Sequence, residues 1–145
     1  GQEKYRAIAS AYYKNAQGAV LVYDTTRRET FENMEAWLNE LRQHGDANIQ
    51  LLILGNKIDM VERRQVLTEE GLKLAENKGA WFMEVSGKTN TKNCVNLAFM
   101  TILEGIIERQ DQDALYRAES DLLSVRSKGV ALDQAQAEDE KKGCC

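Results

Sequence analysis

The sequence predicts an α/β domain, a doubly wound parallel sheet with helices on both faces. Two observations predict it: short, largely apolar runs alternate with longer amphipathic ones, and polar residues gather directly after the apolar runs. The apolar runs are GAVLVYD at 18–24, IQLLILG at 49–55 and WFMEVS at 81–86. Each has the pattern of a strand covered on both faces.

The intervening segments read as helices. In TFENMEAWLNELRQHG, Phe31, Met34, Leu38 and Leu41 share one helical face, and Gly45 stands as a C-terminal stop. Thr68 is placed to N-cap TEEGLKLAENKG, Glu69 and Glu70 suit the positive end of that helix dipole, and Gly79 can end it. After the third strand, Val95, Ala98, Phe99, Ile102, Leu103 and Ile106 recur at the spacing of a buried stripe, so Phe99 is expected in the core. From about Gln110 the pattern changes: DQDALYRAESDLLSV can extend the helix for a while, but RSKGVALDQAQAEDEKKGCC, at 126–145, lacks aromatics, is polar and mixed in charge, buries too little surface to order itself and reads as a solvated tail.

Composition narrows the classes of function. The 145 residues make one domain at most, and 43% hydrophobic content with a net charge of −4 is ordinary for a soluble protein and does not call for nucleic acid. No apolar stretch approaches the ~20 residues that span a bilayer. The sequence opens on GQEKYRAIAS, without an initiator Met or a secretory signal, which suggests a missing front end. Its three cysteines, Cys94, Cys144 and Cys145, form neither a disulfide framework nor a metal-site spacing and fit a reducing compartment. Cys94 reads as helix packing, and His44 as a surface residue near a helix end.

In parallel α/β sheets ligands bind beyond the carboxyl ends of the strands, where Asp24, Asn56 to Asp59 and Ser86 to Lys88 fall. A carboxylate at Asp59 can accept from the ring N–H and exocyclic amine of guanine, a donor pair that adenine lacks, while Asn56 can face N7 and O6. Lys57 can lay its methylene stem along the base, and backbone N–H groups around Ser86, Gly87 and Lys88 can hold O6. Asn56 and Asp59 alone would suit a plain Asx turn about as well; the second polar loop, one βα unit later, favours a ligand.

GNKID followed by EVSGK, and preceded by GQEKYRAIASAYYKNAQGAVLVYD, resembles the Ras-superfamily small GTPases, and YRAIASAYYKNAQGAVLVYDTT resembles the Rab family in particular. The likeness extends from Gly1 to about Ile107 and includes the terminal Cys-Cys. It implies that residues 1–110 are the C-terminal part of a GTPase domain and 111–145 a flexible hypervariable tail. Asn56, Lys57 and Asp59 would be the guanine-specificity motif, with Ser86, Gly87 and Lys88 the second base loop. The family usually has Ala where this sequence has Gly87; the backbone N–H makes the contact, so the change is expected to be tolerated, with a looser loop.

Gly1, Gln2 and Glu3 resemble the end of switch II, where the glycine N–H meets the γ-phosphate and Gln2 orients the attacking water. Tyr5, Arg6, Tyr12 and Tyr13 would lie in the switch II region that effectors read. Cys144 and Cys145 resemble a double geranylgeranylation signal, whose two lipids would give stable attachment where one is marginal. The tail's nearly balanced charge adds little attraction to a membrane.

Two look-alikes fail. Gly87-Lys88-Thr89 imitates the end of a phosphate-binding loop, but that motif needs glycine where Phe82 stands. Asp24 imitates a magnesium-binding aspartate, yet the family's metal aspartate lies just before the Gly1-Gln2-Glu3 motif, so Asp24 reads as a turn or cap residue.

The resemblance implies a partial P-loop GTPase fold, first strands missing, that retains the base half of a GTP site. The phosphate-binding loop, switch I threonine, metal aspartate and first three strands would all precede Gly1, so these 145 residues alone are expected to be inactive, with GAVLVYD an open apolar sheet edge. For the intact protein the implied function is a Rab-type switch in vesicle transport that binds and hydrolyses GTP with Mg²⁺. It would work with effectors, exchange factors, GTPase-activating proteins and prenylation escort proteins. Its place would be the cytoplasmic face of an intracellular membrane, or the cytosol when unprenylated or escorted. The alternative is a non-catalytic prenylated interaction module.

Overall fold

A computed structural model describes residues 12–89 and 93–142, with side chains as far as 121. Three parallel strands, β1 (Gly18–Asp24), β2 (Gln50–Asn56) and β3 (Trp81–Val85), form a sheet in that order. Helices α1 (Arg28–Glu32) and α2 (Met34–His44) follow β1, α3 (Thr68–Lys78) follows β2 after a short 3₁₀ turn at Val61–Arg63, and α4 (Cys94–Lys142) follows β3.

Alternation along the strands sorts two cores. Tyr23 and Ile53 pack with Met34, Val66 and Ala75 on one face, beside a cluster of Leu38, Leu41 and Leu51. On the other face Leu52, Leu54 and Val85 meet Ala98 and Ile102 of α4, with Cys94, Val95 and Ile106 packed around them. Burial on both faces is the reason these strands read as continuous apolar runs. The predicted stripe Met34, Leu38 and Leu41 is buried, and Phe31 meets Tyr23 edge to face, ring centroids 5.1 Å apart.

Four expectations need correction. The helix expected over 30–45 is broken at Asn33, whose N–H bonds Glu29 O while its own carbonyl receives only a long 3.4 Å bond from Trp37. Thr68 is the first residue of α3, not its cap: the N-cap is Leu67, whose N–H donates to Glu70 Oε2 at 3.0 Å, and Thr68 Oγ donates instead to Glu84. Phe99 and Leu103 lie on the outer side of the α4 stripe, 53% and 49% exposed, because Ala98 and Ile102 fill the contact with the sheet. Helix α4 includes the extension expected over 111–125 but runs on to Lys142, through residues 126–142, expected to form a solvated tail. Residues 111–121 of it are exposed, so local backbone bonding rather than burial carries that stretch.

Gly79 ends α3 as expected, with a left-handed φ of 64° that few other residues adopt readily. At the sheet's edge β1 pairs only with β2 among the described residues. Val22 is 53% exposed there, beside a groove of about 330 Å³ lined by Tyr13, Val20, Trp37 and neighbours.

Candidate functional site

Register builds the site. Asp24 lies opposite Asn56 and Asn56 opposite Val85, so the three strands end side by side and their following polar loops share one crevice at the sheet's carboxyl edge. Buried Thr25 ties two of these ends together: its N–H and its hydroxyl both donate to Asn56 O, each at 2.9 Å. Its carbonyl accepts from Gln65 N–H at 2.8 Å and Val66 N–H at 3.1 Å, anchoring the segment before α3.

The loops after β2 and β3 are joined by side chains. Asn56 Oδ1 accepts from its neighbour's N–H, Lys57, at 2.8 Å and from Gly87 N–H at 3.1 Å. Buried Ser86 donates its hydroxyl to Asp59 Oδ1 at 2.5 Å and accepts Thr89 N–H at 3.1 Å. Backbone bonds from Ile58 N–H to Val85 O (3.4 Å) and Met60 N–H to Lys57 O (3.0 Å) complete the turn. Two edges stay available: among the described residues, Asn56 Nδ2 and Asp59 Oδ2 have no hydrogen-bond partner. Asp59, Gly87 and Lys88 are exposed, so the crevice is open to a ligand.

Lys57 sits between these loops with a left-handed φ of 70°, a sparsely populated conformation for a non-glycine residue. Its ammonium meets Asp24 Oδ2 at 2.6 Å. Asp24 Oδ1 accepts from Thr26 N–H at 2.9 Å and Thr26 Oγ at 2.6 Å, the turn expected of it. Burial alone would raise the Asp24 carboxyl, but the hydrogen bonds from Lys57 and Thr26, with the Lys57 charge, outweigh it and hold Asp24 below the usual carboxylate range.

Behind the crevice stands a second charge pair. Arg64 grips Glu84 of β3 through both guanidinium arms, at 2.7 and 3.2 Å, and also reaches Val66 O at 3.1 Å. Thr68 adds a bond to Glu84 at 3.0 Å. Sequence reading missed both pairs, because each joins residues 20 or more positions apart on different elements. The only local hint was the strand-end aspartate itself.

Gly1, Gln2, Glu3, Tyr5, Arg6, Cys144 and Cys145 lie outside the described residues. Tyr12 is 74% exposed, whereas Tyr13 packs against the Leu38–Leu41 cluster. His44 is exposed at the end of α2, and Cys94 is packed as expected. No group of three or more His, Cys, Asp or Glu that could hold a metal ion occurs among the described residues. No helix there is long and apolar enough to cross a membrane.

A model of the Ras family matches residues 1–108. The Ras-related protein Rab11C of Lotus japonicus is 44% identical over the whole of this chain and 67% of its own length. RABA2b of Arabidopsis thaliana is likewise 44% identical, and RGP2 of Oryza sativa subsp. japonica 42%, with the same shares covered. With that coverage and identity, the chain belongs to the Ras superfamily as a Rab-type small GTPase.

Proposed function

We propose that the loops after β2 and β3 form the guanine-recognition site of a Rab-type GTPase that switches vesicle-mediated transport. The observation that carries the reading is the joining of the two loops. Asn56 Oδ1 and Asp59 Oδ1 spend themselves on Gly87 and Ser86, while Asn56 Nδ2 and Asp59 Oδ2 are left for a ligand. An amide donor suits guanine N7, and a carboxylate with spare acceptor capacity suits its N1–H and exocyclic amine. Lys57 would lie against the base, and the N–H groups at Gly87 and Lys88 would face O6. Arranged before the ligand arrives, these groups lose little freedom on binding.

GTP would bring the phosphates and Mg²⁺ the charge neutralisation on which phosphoryl transfer depends. Within this chain Gly1 would meet the γ-phosphate and Gln2 would orient the attacking water, both by resemblance. Tyr5, Arg6, Tyr12 and Tyr13 would meet effectors; exchange factors, GTPase-activating proteins and escort proteins would be further partners. The tail would anchor the protein to the cytoplasmic face of a membrane through lipids on Cys144 and Cys145.

Asp59→Asn tests the base site. An amide presents a donor where guanine needs an acceptor, and sites built around such pairing discriminate by about 10⁴ to 10⁵. GTP affinity of the full-length protein should collapse and preference move to xanthine nucleotides; an unchanged titration sinks the assignment. Gln2→Leu should leave that affinity intact and slow phosphate release. The anchor is tested apart: with Cys144 and Cys145 both replaced by Ser the protein should leave the membrane fraction of a cell extract, and continued pelleting with membranes refutes lipid attachment.

A further inference from the structure

Asp24 reads from sequence as a turn residue, and the turn exists, but its carboxylate also reaches across the crevice. We propose that Asp24 is a positioning residue for the base site, holding the Lys57 side chain across the carboxyl ends of β1 and β2 so that its methylene stem forms a fixed floor for the guanine ring. The inference rests on the base-site reading of Asn56, Lys57 and Asp59.

Lysine is a poor floor unless something holds it. Its flexible four-carbon stem carries more rotamer entropy than most side chains, which ligand binding would otherwise have to remove. Here both ends are fixed. The backbone end is set by the left-handed φ of 70° and by the bond from Lys57 N–H to Asn56 Oδ1 at 2.8 Å. The ammonium end is set by Asp24 Oδ2 at 2.6 Å. Asp24 is itself immobilised: its Oδ1 takes two bonds from Thr26, and its backbone N–H donates to Thr30 Oγ at 2.9 Å. Because Asp24 and Asn56 are register partners, the stem has only one strand spacing to cross.

Fold stability explains the pair less well. The Asp24 side chain is 13% exposed but that of Lys57 is 49% exposed, so water screens the pair from the lysine's side and its share in folding is small. A well-oriented carboxylate under a half-open lysine controls where the lysine lies more than whether the chain folds.

Asp24→Asn separates these roles, since the amide oxygen can still accept from Thr26 while the charge is gone. In the full-length protein, fluorescent GDP should dissociate about 3 to 10 times faster, the loss of a charge-assisted bond of this exposure, with only a small fall in melting temperature. Lys57→Met keeps most of the stem without the ammonium and should accelerate release similarly, and the double variant should be no worse than either single one. Wild-type dissociation in Asp24→Asn, or a full additional effect in the Lys57→Met background, overturns the proposal. A measurement without nucleotide tests the same contact independently: carbon-13 relaxation of the Lys57 ε-methylene should report an ordered group in the wild type and a mobile one in Asp24→Asn, and equal mobility overturns the proposal. Failure of the base-site reading itself would show elsewhere, as unaltered guanine preference in Asp59→Asn.

Discussion

Two charge pairs flank the carboxyl edge of this sheet, and they are built differently. Arg64 and Glu84 are mostly buried, 22% and 15% exposed, joined through both guanidinium arms and supplemented by Thr68 and Val66. Lys57 and Asp24 share a single contact, and the lysine is half open to water. A planar guanidinium fork fixes two partners in one geometry, as suits a brace between β3 and the segment leading into α3; an ammonium on a flexible stem can be held or released. The difference teaches what each pair does: the brace behind the crevice joins two elements, whereas the pair in the crevice holds one long side chain in place.

Removing one partner of the brace should have the largest effect on folding. Glu84→Ala leaves the Arg64 charge mostly buried without its carboxylate and strips Thr68 of its acceptor, a loss of about 2 to 4 kcal/mol. Thermal unfolding should show a melting temperature lower by roughly 10 °C or more. If Asp24→Asn destabilised the fold as much as Glu84→Ala, the contrast between the brace and the pair in the crevice would be wrong.

Tyr23 sharpens the same comparison at smaller amplitude. Its ring is buried against the brace and, among the described residues, its hydroxyl has no hydrogen-bond partner. Burial, and secondarily the Glu84 charge, push the phenol up to about 12, with Arg64 opposing. A folded-state value above the unfolded one means stability that is complete below the ordinary tyrosine range, near 10, and is lost as pH rises toward about 12. Tyr23→Phe removes an unsatisfied group, so urea denaturation at pH 7 should find it unchanged or up to about 1 kcal/mol more stable. Its advantage should widen between pH 10 and about 12; a constant difference would mean that the phenol is not the group titrating.

The legible parts of this fold are those written within one element. Strand runs such as GAVLVYD carry their own apolar signature, and Gly79 announces its helix end through the left-handed backbone it adopts. Asn56 and Asp59 stood out because they follow a strand's carboxyl end and a second polar loop, Ser86 to Lys88, comes one βα unit later. What sequence could not supply was pairing at a distance. Thr68 has the composition of a cap, yet Glu84, 16 positions away, takes its hydroxyl. Phe99 fits the helical stripe, but only the position of the sheet decides that Ala98 and Ile102 face it. Asp24 was readable as a turn, while its partnership with Lys57 follows from strand register.

The smallest expected effect tests how adjustable the crevice is. Gly87 has a backbone that other residues can adopt, and a Cβ built there would lie 3.7 Å from Asn56 Oδ1, an ordinary contact. Nothing steric therefore requires glycine, and its N–H already donates to Asn56. Alanine should narrow the unfolded ensemble and stabilise the protein by about 0.4 to 1 kcal/mol. It should also hold the loop that Asn56 and Asp59 grip, slowing nucleotide release by up to about fivefold if all of that gain appears in the bound state. Denaturant midpoints and fluorescent GDP dissociation on Gly87→Ala would measure both. A destabilised variant would show that the loop needs glycine's freedom; a stabilised one with unchanged release would show that the gain in the Gly87 loop is not felt by the nucleotide, leaving the Lys57 and Asp24 pair as the contact that sets the release rate.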